Sequence, residues 1–149
     1  MDIKNILLIE DNANDIILTK RALAKSRIYN RLQVIEDGGE ALKYFFGDDG
    51  KNGCPENELP LVVLLDLNLP KVSGLEILYK MRTVEKTKRI PVVVLTSSGN
   101  EQDQICSNKL AVVSFIRKPV KFFEFAEAIR LLGLYLLVLN SQPLEIVCQ

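Results

Sequence analysis

The segment LVVLLDLNLPKVSG, residues 61–74, decides the fold. Its opening run of Leu and Val has no polar alternation, which marks a strand buried on both faces, as in parallel sheets covered by helices. The run ends on Asp66, so this carboxylate belongs at the strand's C-terminal end, where the sheet meets water. Pro70 cannot donate to a ladder, and Gly74 begins a helical pattern after a short loop. Ligands of open parallel α/β sheets gather in the crevice beyond those C-terminal ends. Asp66 is therefore the first candidate for a working residue.

Working outward, the same strand-then-helix unit recurs. Upstream, Ile6 to Ile9 form a buried strand that runs into Glu10 and Asp11. The helix that follows is expected to carry its apolar stripe on Ala13, Ile16, Ile17, Leu23 and Ala24, with Asn12 or Asn14 as its cap. Leu32 and Val34 alternate with polar residues in a less buried strand, and Ala41, Leu42 and Phe45 suggest a second helix. Gly38 and Gly39 are expected to serve the turn between them, since neither GxGxxG nor GK[ST] surrounds them. Residues 47–59, rich in Gly, Asp and Asn, read as a surface loop. Downstream, Leu75, Leu78 and Met81 give a third helix its apolar face, and Val92 to Leu95 form a strand ending on Thr96. A short polar helix is expected around 101–109, then a strand ending at Lys118 and Pro119, then a last helix from about Phe122. Such alternation requires a parallel sheet covered on both faces, because right-handed crossovers place the helices there. One α/β domain over 1–149 is expected, with a C-terminal extension from about 131 to 149 and no output domain.

Composition narrows the partners. Lys and Arg total 19, as do Asp and Glu, so no basic footprint for nucleic acid is expected. No stretch approaches the length of a membrane span or resembles a signal peptide, and a cytoplasmic location is the expectation. Cys54, Cys106 and Cys148 have no zinc spacing and are expected to be small hydrophobes or free thiols. The sequence contains no histidine. A histidine base, ligand or phosphohistidine would have to come from a partner.

Glu10 and Asp11, Asp66, Thr96 and Lys118 all fall at strand ends on one edge of the sheet. Any one of them could be a helix cap, a local backbone partner or a solvated charge; together they make a site. Three crowded carboxylates raise one another's pKa unless a positive charge sits among them. A hard divalent cation with oxygen ligands, Mg²⁺ above all, meets that need and leaves positions for a phosphoryl group. Asp66 could then attack phosphorus to give an aspartyl phosphate, with the Thr96 hydroxyl and the Lys118 ammonium stabilising its oxygens. Ser97 is small enough not to obstruct it.

Read together, IEDN at Glu10 and Asp11, LLDLNLPKVSG at Asp66, VVVLTSS at Thr96 and FIRKPV at Lys118 resemble the receiver domains of two-component response regulators, from Lys4 to about Ile129. The resemblance implies a flavodoxin-like (CheY-like) doubly wound five-stranded parallel sheet in the order 2-1-3-4-5. It implies Asp66 as phosphoacceptor with Thr96 and Lys118 as its catalytic partners. Mg²⁺ would be held by Glu10, Asp11, Asp66 and the backbone carbonyl of Asn68. Thr96 and Phe115 would be switch residues, though burial alone would also select an aromatic at Phe115. The bond before Pro119 is commonly cis in the family. Glu-Asp in place of Asp-Asp is a familiar variant. The acidic loop, RIPVVVLTSS and FAEAIRLLGLYLLVLN are similar to the single-domain regulators that partner cyanobacterial and bacterial phytochromes.

Two other classes compete. Haloacid-dehalogenase-like phosphatases also use a strand-end aspartate with Mg²⁺, but need a second aspartate two residues on, where this chain has Asn68. A flavodoxin-like cofactor module needs a phosphate cradle where this chain places Glu10 and Asp11, which would repel phosphate. The expected role is that of a signalling phosphoacceptor rather than an enzyme acting on a separate substrate. Its donor would be the phosphohistidine of a separate sensor kinase, and its signal would pass through surfaces that phosphorylation alters and a partner reads. Finally, residues 131–139 carry no charge and are apolar around the whole helix, which suggests a homodimer through Leu132, Tyr135, Leu136 and Leu139. The alternative is a tail folded back on its own domain.

Overall fold

The computed structural model describes residues 4–50 and 52–139, with 134–139 described by their backbone alone. The elements in chain order are β1 (Ile6–Ile9), α1 (Ala13–Lys25), β2 (Leu32–Ile35), α2 (Gly38–Phe46), β3 (Val62–Asp66), α3 (Gly74–Thr83), β4 (Val92–Thr96), α4 (Gly99–Ser107), β5 (Ser114–Arg117) and α5 (Phe122–Leu139). A 3₁₀ turn, Glu56–Glu58, interrupts the loop before β3. The strands form one parallel sheet in the order β2-β1-β3-β4-β5, as expected. The chain order reverses direction between β1 and β3, so the crevice above those two strands is the natural ligand site.

Burial follows from the apolar runs. Because successive strand residues point to opposite faces, Leu7, Ile9, Val63, Leu65, Val92 and Val94 pack on one side, beneath α2, α3 and α4. Ile6, Leu8, Val62, Leu64, Val93 and Leu95 pack on the other, with α1 and α5. Every residue of β1, β3 and β4 is buried, which explains why these strands show no alternation, whereas β2 at the sheet edge is only half-buried. On the second face Phe125, Ile129 and Leu132 form the buried stripe of α5 at helical spacing.

The helices start where strand exits leave them. Asn12, Asp37, Ser73 and Ser98 are N-caps whose side chains accept from the backbone N–H of Asp15, Glu40, Glu76 and Glu101. Each such cap is worth about 1 kcal/mol against alanine. Two glycines set the close approach that brings these helices together. A Cβ on Gly38 would lie 1.9 Å from the carbonyl oxygen of Val72, and one on Gly74 would lie 2.3 Å from that of Asp66. The first fixes α2 against the β3–α3 loop; the second seats α3 on the end of β3.

Several expectations change. The stripe of α1 runs through Ile16, Thr19, Ala22 and Leu23, while Ala13, Ile17 and Ala24 are exposed; Thr19 is buried because its hydroxyl donates to the Asp15 carbonyl 2.8 Å away. Gly38 and Gly39 lie in the first turn of α2 rather than in the preceding turn, because that helix begins where it meets Val72. Cys54 is a free thiol, as expected, and Cys148 lies outside the described residues. Leu132 is 5% exposed within the α1–α5 layer and so belongs to the chain's own core, seven residues on from Phe125 on one face of α5. Leu131 beside it is the exposed residue. The side chains of Tyr135, Leu136 and Leu139 lie outside the described residues. Among the described residues no helix is long and apolar enough to cross a membrane.

Candidate functional site

Parallel register carries the strand-end residues to one edge. Ile9 pairs with Leu65, Asp66 with Leu95, and Thr96 with Arg117, so the residues that follow β1 and β5 stand beside the ends of β3 and β4. Glu10, Asp11 and Asp66 thereby offer carboxylate oxygens that all lie within 4.8 Å of one another. Glu10 is fully buried and Asp66 is 1% exposed, whereas Asp11 faces solvent. The cluster therefore has two buried carboxyl groups and one open toward water.

Lys118 reaches into this cluster. Its Nζ lies 3.0 Å from Glu10 Oε1, 3.0 Å from Asp66 Oδ2 and 3.1 Å from Asp15 Oδ2. The peptide bond from Lys118 to Pro119 is cis, as the resemblance implies, and the Lys118 N–H donates to the Thr96 carbonyl at 2.8 Å. Asp15 is a participant that the sequence reading missed; its position in the first turn of α1, four residues after Asp11, was the available signal.

Electrostatics follow from burial. Burial foremost, aided by the charge of Asp66, pushes the Glu10 carboxyl up to about 8, against the opposing pull of the Lys118 ammonium. Burial alone would lower the Lys118 pKa, but the hydrogen bonds and charges of Glu10 and Asp66 outweigh it and keep the ammonium above its ordinary value. The cluster thus holds more carboxylate than one ammonium satisfies. Oxygen donors at this spacing, buried on one side and open on the other, fit a hard divalent cation that retains part of its water.

The loops complete the rim. Asn68 N–H donates to Asp66 Oδ1 at 3.0 Å, and its side-chain amide donates to Ser97 Oγ at 2.7 Å. Thr96 is fully buried at the end of β4. Its hydroxyl lies 2.9 Å from Glu101 Oε1 and 3.0 Å from the Ser98 carbonyl. Phe115 is half-buried against the α2–α4 layer rather than enclosed. The structure therefore brings Glu10, Asp11, Asp66 and Lys118 into one cluster and places Asn68 and Thr96 on its rim. Phe115 lies on β5, three residues before Lys118, and pairs with Val94, two residues before Thr96. Glu101 was not foreseen as part of this network, since as sequence it reads only as the fourth residue of a capping pattern, Ser98-x-x-Glu101.

Comparison with known proteins agrees with this geometry. Residues 6–130 match the response regulator receiver domain family. The chain is 36% identical to the probable methanogenesis regulatory protein FilR2 of Methanothrix harundinacea, over 93% of this chain and 86% of that protein. It is 40% identical to response regulator Rcp1 of Synechocystis sp., over 77% of this chain and 76% of that protein. A structure of the Mn²⁺-bound form of response regulator Rcp1 superposes with a TM-score of 0.70 at 35% identity, covering 95% of this chain and 99% of that chain. The bacteriophytochrome response regulator RtBRR superposes with a TM-score of 0.76 at 43% identity, over 95% of this chain and 85% of that chain.

Proposed function

Because this chain belongs to the response regulator receiver domain family, we propose that its signalling chemistry is phosphorylation of Asp66 at the cluster described above. The observation that carries this assignment is the 3.0 Å approach of Lys118 Nζ to Asp66 Oδ2, on a carboxylate that also sits within the acidic cluster. An oxygen of Asp66 attacks phosphorus, the bond from phosphorus to the donor nitrogen of a kinase phosphohistidine breaks, and the leaving imidazole takes up a proton. Mg²⁺ bound at the site would neutralise charge on the transferring group. Glu10, Asp11, Asp66 and the Asn68 carbonyl are the residues that would hold it. The Lys118 ammonium and the Thr96 hydroxyl are then the chain's own groups for the phosphoryl oxygens, with Thr96 and Phe115 as the switch pair.

The donor in this reading is a separate sensor histidine kinase in the cytoplasm, of phytochrome type. The name of RtBRR and its 43% identity support the kinase class. A haloacid-dehalogenase-like phosphatase is not supported: the receiver family match spans the fold, and Asn68 stands where a second aspartate would act. A homodimer through α5 belongs to the same proposal. Phe123 and Leu131 are the exposed large hydrophobics of that helix among its described residues. Sedimentation of the wild type and a Leu136→Glu, Leu139→Glu variant tests it, and a strictly monomeric wild type removes it.

The deciding experiment is incubation with Mg²⁺ and acetyl phosphate followed by peptide mass spectrometry. Phosphorylation of the Asp66 peptide that disappears in Asp66→Asn is the expected result. Incorporation that persists at another carboxylate in the native protein would reassign the site.

A further inference from the structure

Glu101 shows a departure from ordinary helix capping. In a capping box the acidic side chain three residues into the helix returns to the N–H of the capping residue. Ser98 fulfils its half, since its Oγ accepts from the Glu101 N–H at 3.3 Å. Glu101 does not complete the other half. The Ser98 N–H instead donates to Thr96 Oγ1 at 3.3 Å, and Glu101 Oε1 reaches past it to the Thr96 hydroxyl at 2.9 Å. The same oxygen accepts from the Ser97 N–H at 3.3 Å and lies 3.5 Å from Ser97 Oγ, which in turn accepts from the Asn68 amide.

The Thr96 hydroxyl has one proton. In the structure its two acceptors, Glu101 Oε1 and the Ser98 carbonyl, both belong to the start of α4 and the loop before it. If Asp66 carries a phosphoryl group, a reading on which this inference rests, that proton is needed by a phosphoryl oxygen. Carboxylate and phosphoryl group then compete for one donor, and both are negative. A hydrogen bond to a charged acceptor is among the stronger kinds, so giving it up is a measurable cost of phosphorylation. Glu101 is half-exposed and can turn to water once released.

We propose that Glu101 is a positioning residue that holds the Thr96 hydroxyl in its resting place. Its carboxylate biases the unphosphorylated state, and its release frees both Thr96 and the first turn of α4. The bond from Asn68 through Ser97 brings the loop after Asp66 into the same arrangement. A phosphoryl group therefore changes the start of α4 by taking the Thr96 hydroxyl's hydrogen bond away from Glu101, not only by drawing Thr96 inward.

The test uses beryllofluoride with Mg²⁺, which mimics the phosphoryl group without chemistry, and measures its dissociation constant by titration calorimetry. Glu101→Ala is expected to tighten beryllofluoride binding about fivefold, the size of one net hydrogen bond. Glu101→Gln, which keeps an acceptor oxygen but no charge, should fall between that and wild type, and it carries the test if the alanine variant does not fold. In a Thr96→Val background the Glu101 effect should vanish, because no hydroxyl is left to compete for. A purely structural cap would shift both backgrounds alike. Equal effects with and without the hydroxyl, or no tightening in either Glu101 variant, overturn the proposal. A wild type that fails to bind beryllofluoride would instead overturn the phosphoacceptor reading of Asp66.

Discussion

Lys118 Nζ stands 3.0 Å from Asp66 Oδ2 while the same nitrogen is 3.0 Å from Glu10 Oε1, so one ammonium balances two carboxylates that water scarcely reaches. Removing the cation leaves both carboxyl groups without this partner. Removing one carboxylate leaves Lys118 still paired with Glu10 and Asp15. Lys118→Met should therefore destabilise the metal-free protein by about 3 kcal/mol, whereas Asp66→Asn should leave it at least as stable as wild type. Urea unfolding in EDTA reads both; a Lys118→Met protein as stable as wild type would show that the carboxylates are balanced elsewhere.

Glu10 predicts a pH dependence with a definite sign. Its folded-state pKa is raised to about 8, so between the ordinary carboxylate range and pH 8 the folded protein holds a proton that the unfolded chain releases. The stability this contributes is fully present below pH 4.5, the unfolded value, and is lost as pH rises through 8. No histidine titrates in that window. The melting temperature in EDTA should fall from pH 6 to pH 8, and Glu10→Gln should flatten the slope. Parallel curves for the two proteins would rule this out.

The acidic cluster should respond to Mg²⁺ in the opposite direction. A cation that binds only the folded state adds about 2.7 kcal/mol at a hundred times its dissociation constant. Asp11 is the member of the cluster that faces solvent, and the one without which the open side loses its carboxylate. Thermal scans across a Mg²⁺ titration should show a rise of several degrees for wild type and little for Asp11→Ala. An unchanged melting temperature at millimolar Mg²⁺ counts against the cation site.

Gly38 makes a prediction about packing alone. The backbone there has no methyl-sized space, because the Val72 carbonyl already occupies it. Gly38→Ala should cost about 2 kcal/mol through overpacking, even though alanine is the better helix former. Gly50→Ala, at a site with nothing within 4 Å but with φ of +75°, is the contrasting control in which strain comes from the backbone. Equal stability of Gly38→Ala and wild type in urea would mean that α2 can shift away from the loop.

The sheet was legible because β1, β3 and β4 are buried on both faces, and such strands spell themselves out as unbroken Leu, Ile and Val. The site was legible for the same reason: the first polar residue after each run had to stand at the sheet's edge. What escaped was everything fixed by side-chain reach across elements. Asp15 looks like an ordinary first-turn acid until Lys118 arrives from the end of β5, and Glu101 looks like an ordinary capping partner until Thr96 is placed beside it. The exposed Ile17 and the buried Thr19 show the remaining weakness, since hydrophobicity alone sets a helical stripe only to within a residue or two and cannot see Thr19's bond to its own helix.

The contact between Gly38 and Val72 also bears on what can be exchanged between proteins. The loop that carries Asn68, Pro70 and Lys71 is shaped partly by a helix that precedes it in the chain, with the Gly38 N–H donating to the Pro70 carbonyl at 3.1 Å and the Lys71 ammonium 3.7 Å from Asp37. A graft of residues 66–74 alone would arrive without the surface that gives it form. The transplantable unit is that loop together with the first turn of α2, and a chimaera built from both pieces should keep the loop's geometry where a chimaera built from one would not.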